Sequence, residues 1–244
     1  MPVLLALWSP KGGSGTSVVA AAVALIAAGR GPARLADLGG DQPAILGLSL
    51  PPPVDGPAGI ASCPATGLAG WLAAGPAAPT EWLEAIAVPA RPGLTVLPRG
   101  EGGLDGAGAE AGAALGVALR DPGLTVVDAG TASAPAIQAA IDVADAALVV
   151  LRPCYLALRR AVAEPRLRRA AGVVLLEEPG RALDAEDVGA VLGLPVVGRV
   201  PVRAEIARAV DAGILRDRSP SPLATAAAAV LAGLDDLTGG RWAA

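Results

Sequence analysis

Residues 11 to 17 read Lys-Gly-Gly-Ser-Gly-Thr-Ser, and their types and spacing suit the binding of phosphate. A glycine-rich turn that feeds a helix presents backbone N–H groups to an anion, and the helix dipole adds to the attraction. Gly12, Gly13 and Gly15 allow the backbone to come close, and Ser17 places a hydroxyl where a phosphate-bound magnesium ion could be met. Lys11, Ser14 and Thr16 complete the candidate binding loop. The common phosphate-loop pattern, G-x-x-x-x-G-K-[ST], has a lysine where this chain has Thr16. Hydrogen bonds to charged groups are worth roughly 1.5–3 kcal/mol, so a plain loss of that cation weakens phosphate binding by roughly one to two decades. A lysine is present, but as Lys11. Of 19 basic residues it is the only lysine, the rest being arginine. A drift of codons toward arginine would have kept a charge at position 16, so drift does not account for Thr16. The plainer reading of the segment is a tight strand-to-helix turn that binds nothing.

Three acids fall at or near the ends of apolar runs: Asp37, Asp41 and Asp128. In parallel sheets ligands sit beyond the carboxyl ends of the strands, so all three could face the loop. Asp128, after Leu-Thr-Val-Val, has the form of an acid that assists magnesium, with Ser17 and Asp37 as further candidates for the metal site. Asp37 and Asp41 are the candidate catalytic acids. Each could instead be a turn or cap residue. With no histidine anywhere, histidine catalysis and histidine metal ligands are excluded. The two cysteines, Cys63 and Cys154, form no C-x-x-C pair and suggest neither zinc nor a disulfide framework.

The elements that must position these residues follow from apolar runs and glycine or proline stops. Strands are expected at 3–8, 33–37, 93–98, 123–131, 146–153, 172–179 and 195–201. Helices are expected at 17–28, 68–74, 81–87, 112–120, 135–143, 156–171 (interrupted by Pro165), 185–192, 205–212 and 222–237, with loops at 51–66 and 100–112. Strands alternate with helices and most are continuously apolar. The expected fold is therefore α/β: a doubly wound, mainly parallel sheet with helices on both faces, in one domain spanning 1–244. The net charge of −4 argues against DNA. No apolar stretch near the N-terminus reaches the roughly 20 residues that span a bilayer, and no basic segment resembles a leader, so a cytoplasmic protein is expected. Arg159, Arg160, Arg166, Arg168 and Arg169 form a basic stretch, read first as a solvated helix face. Asp235 and Asp236 close the last helix, which argues against a basic membrane anchor.

Together these pieces resemble the deviant Walker A ATPases, the group containing ParA and MinD, whose signature is K-G-G-x-G-K-[ST]. Residues 11–17 match it except at Thr16. The segments 36–48, 94–100, 124–131, 142–161 and 193–213 are similar to later parts of the family in the same order, so nearly the whole chain is covered. The resemblance implies a P-loop NTPase fold of the SIMIBI type, with ATP and magnesium as cofactors. It also implies a homodimer in which Lys11 reaches the partner's nucleotide. Gly39 stands where the second acid of the family's D-x-D segment would be, and Leu176-Glu177-Glu178 replaces the adenine-reading asparagine. These departures imply weak nucleotide binding and little hydrolysis. Within the family the atypical loop resembles the TadZ/CpaE branch, factors that localise tight-adherence (Flp-type) pilus and secretion assemblies. Many CpaE-like proteins carry an N-terminal receiver-like domain, and since the first strand is expected at residue 3, none is expected here. The implied partners are a pilus or secretion ATPase or other assembly proteins, with recruitment to the inner face of the membrane or the pole. The alternatives are an active ParA/MinD-type ATPase cycling on DNA or membrane, and a nucleotide-free dimerisation module.

Overall fold

The computed structural model describes residues 2–50, 67–120 and 123–240. Eight strands form one sheet in the order β3-β4-β2-β5-β1-β6-β7-β8, parallel except for β3. The strands are β1 Val3–Trp8, β2 Ala33–Asp37, β3 Val88–Arg91, β4 Leu94–Leu97, β5 Leu124–Asp128, β6 Ala146–Leu151, β7 Gly172–Glu177 and β8 Val196–Pro201. β1 shows why the central strands are apolar throughout. Leu4, Ala6 and Trp8 pack on one side of the sheet, while Val3, Leu5 and Leu7 pack on the other. A strand buried on both faces has no polar alternation left to read.

The helices are divided between the faces. On the Leu4–Trp8 side lie α3 Leu68–Ala73, α4 Glu81–Ala85, α5 Ala109–Ala118, α6 Pro135–Asp142, α7 Tyr155–Ala163 and α8 Ala185–Leu192. On the other lie α1 Thr16–Ala27, α2 Gln42–Leu46, α9 Ala204–Asp211 and α10 Ser221–Thr238. From β1 the chain winds outward first to β2, then after β5 crosses to β6. The carboxyl ends of β2, β5 and β1 therefore surround the point where the winding reverses, the usual place for a ligand in such sheets. The register brings Asp37 level with Asp128, and Asp128 level with Leu7.

Several boundaries differ from the sequence reading. β3 was not expected; it carries Pro89 and pairs only with β4, at the sheet edge where a missing N–H is tolerated. The short α2 was hidden behind Pro43, which suits a first helical turn. α5 starts at Ala109, inside the stretch expected to be loop. The helix expected over 156–171 ends at Ala163, and Pro165–Arg169 forms a separate 3-10 turn because proline cannot continue the ladder. The loop expected at 51–66, with Cys63, lies outside the described residues; Cys154 is a free, half-buried thiol at the start of α7.

Candidate functional site

The loop between β1 and α1 is held by its own serines. The Ser9 hydroxyl donates to the Lys11 carbonyl at 2.9 Å and accepts from the Lys11 N–H at 3.2 Å. The Ser14 hydroxyl donates to the same carbonyl at 2.7 Å. Ser9 N–H is tied to Gly130 across the cleft at 2.9 Å. Gly15 caps α1 in the left-handed conformation, and the first turn of α1 carries no acid that would neutralise the positive end of its dipole. Thr16 is buried at the start of the helix. Lys11 is half-buried, and among the described residues its ammonium forms no ion pair. Lys11 to Val18 line one wall of a cleft of about 830 Å³.

Beneath the floor of that cleft the two strand-end acids are joined in a hydrogen-bonded knot. Asp37 accepts from the N–H groups of Gly40 at 2.5 Å and Gln42 at 3.1 Å. The Gln42 amide donates to Asp128 Oδ2 at 2.8 Å and to the Ser17 carbonyl at 2.9 Å. Asp128 Oδ1 accepts from Gly130 N–H at 3.1 Å, and the Ser17 hydroxyl also hydrogen-bonds Asp128. Both acids are fully buried. Burial, with the charge of Asp128 adding to it, pushes Asp37 from its ordinary 3.8 to about 7. Burial likewise raises Asp128, partly opposed by the Gln42 and Ser17 hydrogen bonds. Gly39 explains how the turn fits over these acids: a Cβ there would lie 2.9 Å from Asp128 Oδ2.

Of the sequence candidates, Lys11, Gly12, Gly13, Ser14, Gly15, Thr16 and Ser17 share the cleft with Asp41, which is exposed. Asp37 and Asp128 do not line it; they sit below, with Asp128 nearest Ser17. The two candidate catalytic acids are thus separated, one at the surface and one under the floor. Three residues were not foreseen. Gln42 links both acids to α1, and its Oε1 is buried without a partner among the described residues. Arg99, beyond β4, and Arg152, beyond β6, both line the cleft. Arg152 pairs with Glu178, which also holds Arg181. The signal for both arginines was their place just past a strand's carboxyl end.

The arginine stretch divides. Arg159, Arg160 and Arg168 are exposed. Arg169 pairs with Asp142, while Arg166 stacks over Trp8 with 5.5 Å to the ring centroid and donates to the carbonyl of Ala132, in the cleft wall. Among the described residues no helix is long and apolar enough to cross a membrane.

No protein-family model matches the chain, and no curated protein matches its sequence. Solved structures do match along its whole length. MinD from Pyrococcus horikoshii OT3, complexed with Mg-ADP, is 18% identical with a TM-score of 0.76, covering 98% of each chain. A ParA family ATPase from Chlorobium tepidum TLS is 18% identical with a TM-score of 0.71, covering 96% of this chain and 99% of that one. McdA from Cyanothece, in complex with ATP, is 16% identical with a TM-score of 0.67 and 96% coverage of both.

The chain has the fold of the ParA and MinD ATPases.

Within that ParA/MinD fold the residues present suit a nucleotide polyphosphate and magnesium. The open N-terminus of α1 and the glycine loop supply N–H donors, and the half-buried Ser17 hydroxyl beside Asp128 gives a magnesium ion one oxygen ligand and one nearby negative charge. Magnesium there would neutralise phosphate charge. Thr16 contributes no charge, and Gly39 no carboxylate.

Proposed function

We propose that the chain is a ParA/MinD-like nucleotide-binding protein of the TadZ/CpaE type, a localisation factor for a tight-adherence pilus or secretion assembly that binds ATP with magnesium and hydrolyses it little. The observation that carries the low turnover is the turn over Asp128. The position at which the resemblance expects a second acid is Gly39, and the space its side chain would need is occupied by the Asp128 carboxylate. The exposed acids that line the cleft, Asp41, Asp105 and Asp211, make no hydrogen bond to Asp37 or Asp128 among the described residues; Asp41 acts on that pair through its charge alone. Phosphate binding is supported by the intact cradle and Ser17. A role for Lys11 in a partner's site within a homodimer is supported by its forming no ion pair at the cleft mouth among the described residues.

Calorimetric titration with ATP and magnesium, run beside a phosphate-release assay, tests this. Measurable binding with phosphate release near background is expected. Sustained turnover, or stimulation by DNA or liposomes, would replace this reading with an active partitioning or septum-site ATPase. The pilus assignment is tested separately by co-purification with the tight-adherence secretion ATPase of the same organism; failure to associate at micromolar concentrations removes that part alone.

A further inference from the structure

The cleft has lost the cation that Thr16 replaces, yet an arginine points into it from the opposite side. Arg99 follows β4, and its backbone is clamped by the first turn of α3: Leu68 N–H bonds the Pro98 carbonyl and Ala69 N–H the Arg99 carbonyl, each at 2.9 Å. Its guanidinium lies across the β2 turn. It donates to the Gly39 carbonyl at 3.1 Å and covers Gly40, where a Cβ would be 2.5 Å from Cζ. Gly40 has φ +95°, so the turn is shaped for a residue without a side chain, and that absence is what lets the guanidinium lie flat there. Nε is buried with no partner, and among the described residues the group forms no ion pair. Arg152, by contrast, is already neutralised by Glu178.

Its buried Nε–H gains a partner when an anion meets the guanidinium. Planar guanidinium also matches phosphate oxygens two at a time. Arg99 lines the same cleft as the loop residues Lys11 to Ser17, so an anion seated on the loop shares that space with the guanidinium.

We propose that Arg99 supplies, within the same chain, the positive charge that Thr16 does not, and that it binds the terminal phosphate of a nucleoside triphosphate. This rests on the nucleotide-binding reading above. It makes the site selective for the triphosphate, because only the third phosphate is assigned to Arg99.

The test is calorimetric titration of ATP, ADP and inorganic tripolyphosphate, each with magnesium, into the wild type and into Arg99→Lys, Arg99→Gln and Arg99→Ala, with thermal midpoints recorded for all. Arg99→Gln removes the charge and keeps a shorter polar side chain, so its thermal midpoint reports the loss of the bond to the Gly39 carbonyl. The expected result is a roughly ten- to hundredfold loss of ATP and tripolyphosphate affinity in Arg99→Gln and Arg99→Ala. ADP affinity should change less than about threefold, and Arg99→Lys should recover much of the loss by its charge. Arg99→Gln binding ATP as tightly as the wild type would overturn the proposal and leave nucleotide binding standing. Equal losses in Arg99→Lys and Arg99→Gln, tracking a lowered thermal midpoint, would make Arg99 a structural brace and also overturn it. A wild type that binds neither ATP nor tripolyphosphate would remove both readings together.

Discussion

At the scale of single residues, the site is defined by what occupies the space over Asp128. Putting an acid back at position 39 would place a carboxylate against a buried one, so Gly39→Asp is expected to lower stability by about 1–3 kcal/mol from overpacking alone, with charge repulsion added. It should not raise phosphate release. Urea unfolding beside the phosphate assay checks both. Asp37 carries a pH signature of its own. A carboxyl whose folded pKa lies about 7 against an ordinary 3.8 binds its proton more tightly when folded. Its contribution to stability is therefore complete below about pH 4 and is lost as pH rises through about 7. Metal-free protein should show a thermal midpoint that falls across that window, and Asp37→Asn should flatten the profile. A midpoint that rises over the same interval would contradict the burial of Asp37 as a neutral group.

At the scale of elements, local signals account for some segments and tertiary packing for others. α8 is closed at its start by a reciprocal pair: Asp187 N–H bonds the Asp184 side chain at 2.9 Å and Asp184 N–H the Asp187 side chain at 3.1 Å. Asp184→Ala should cost about 1 kcal/mol in chemical denaturation and leave ATP binding unchanged, since α8 does not border the cleft. The parallel core was legible in sequence because β1, β5 and β6 are apolar on both faces, and such runs have few other homes. The loop and Asp128 were legible because strand, glycine turn and helix follow in order. β3 was not, because a four-residue edge strand containing proline resembles a loop until β4 pairs with it. Gln42 was not legible either. Nothing in Asp-Gln-Pro announces that an amide will turn inward and join two carboxylates to α1. That depends on β2 and β5 being in register, a fact of tertiary pairing. Arg99 stood in a segment recognised as a strand end, but its direction across Gly40 is set by the α3 turn that grips its backbone.

At the scale of the whole molecule, the sheet brings cations from separate parts of the chain to one cleft: Lys11 from the loop after β1, Arg99 after β4 and Arg152 after β6. Arg99 serves its own chain in the proposal above, while Lys11 is free to serve another. Lys11→Ala is accordingly expected to abolish ATP-dependent dimerisation, read by light scattering on a sizing column, while ATP binding to the monomer falls less than about threefold. A variant that still dimerises on adding ATP would assign Lys11 to its own chain's loop. The same residue has a consequence of another kind. Every other basic side chain is arginine, so Lys11 is the only side-chain primary amine in the chain. Acylating agents and amine-directed cross-linkers thus find one side-chain target apart from the amino terminus, half-buried at the mouth of the cleft. Its rate of acylation becomes a direct chemical clock for how open that mouth is.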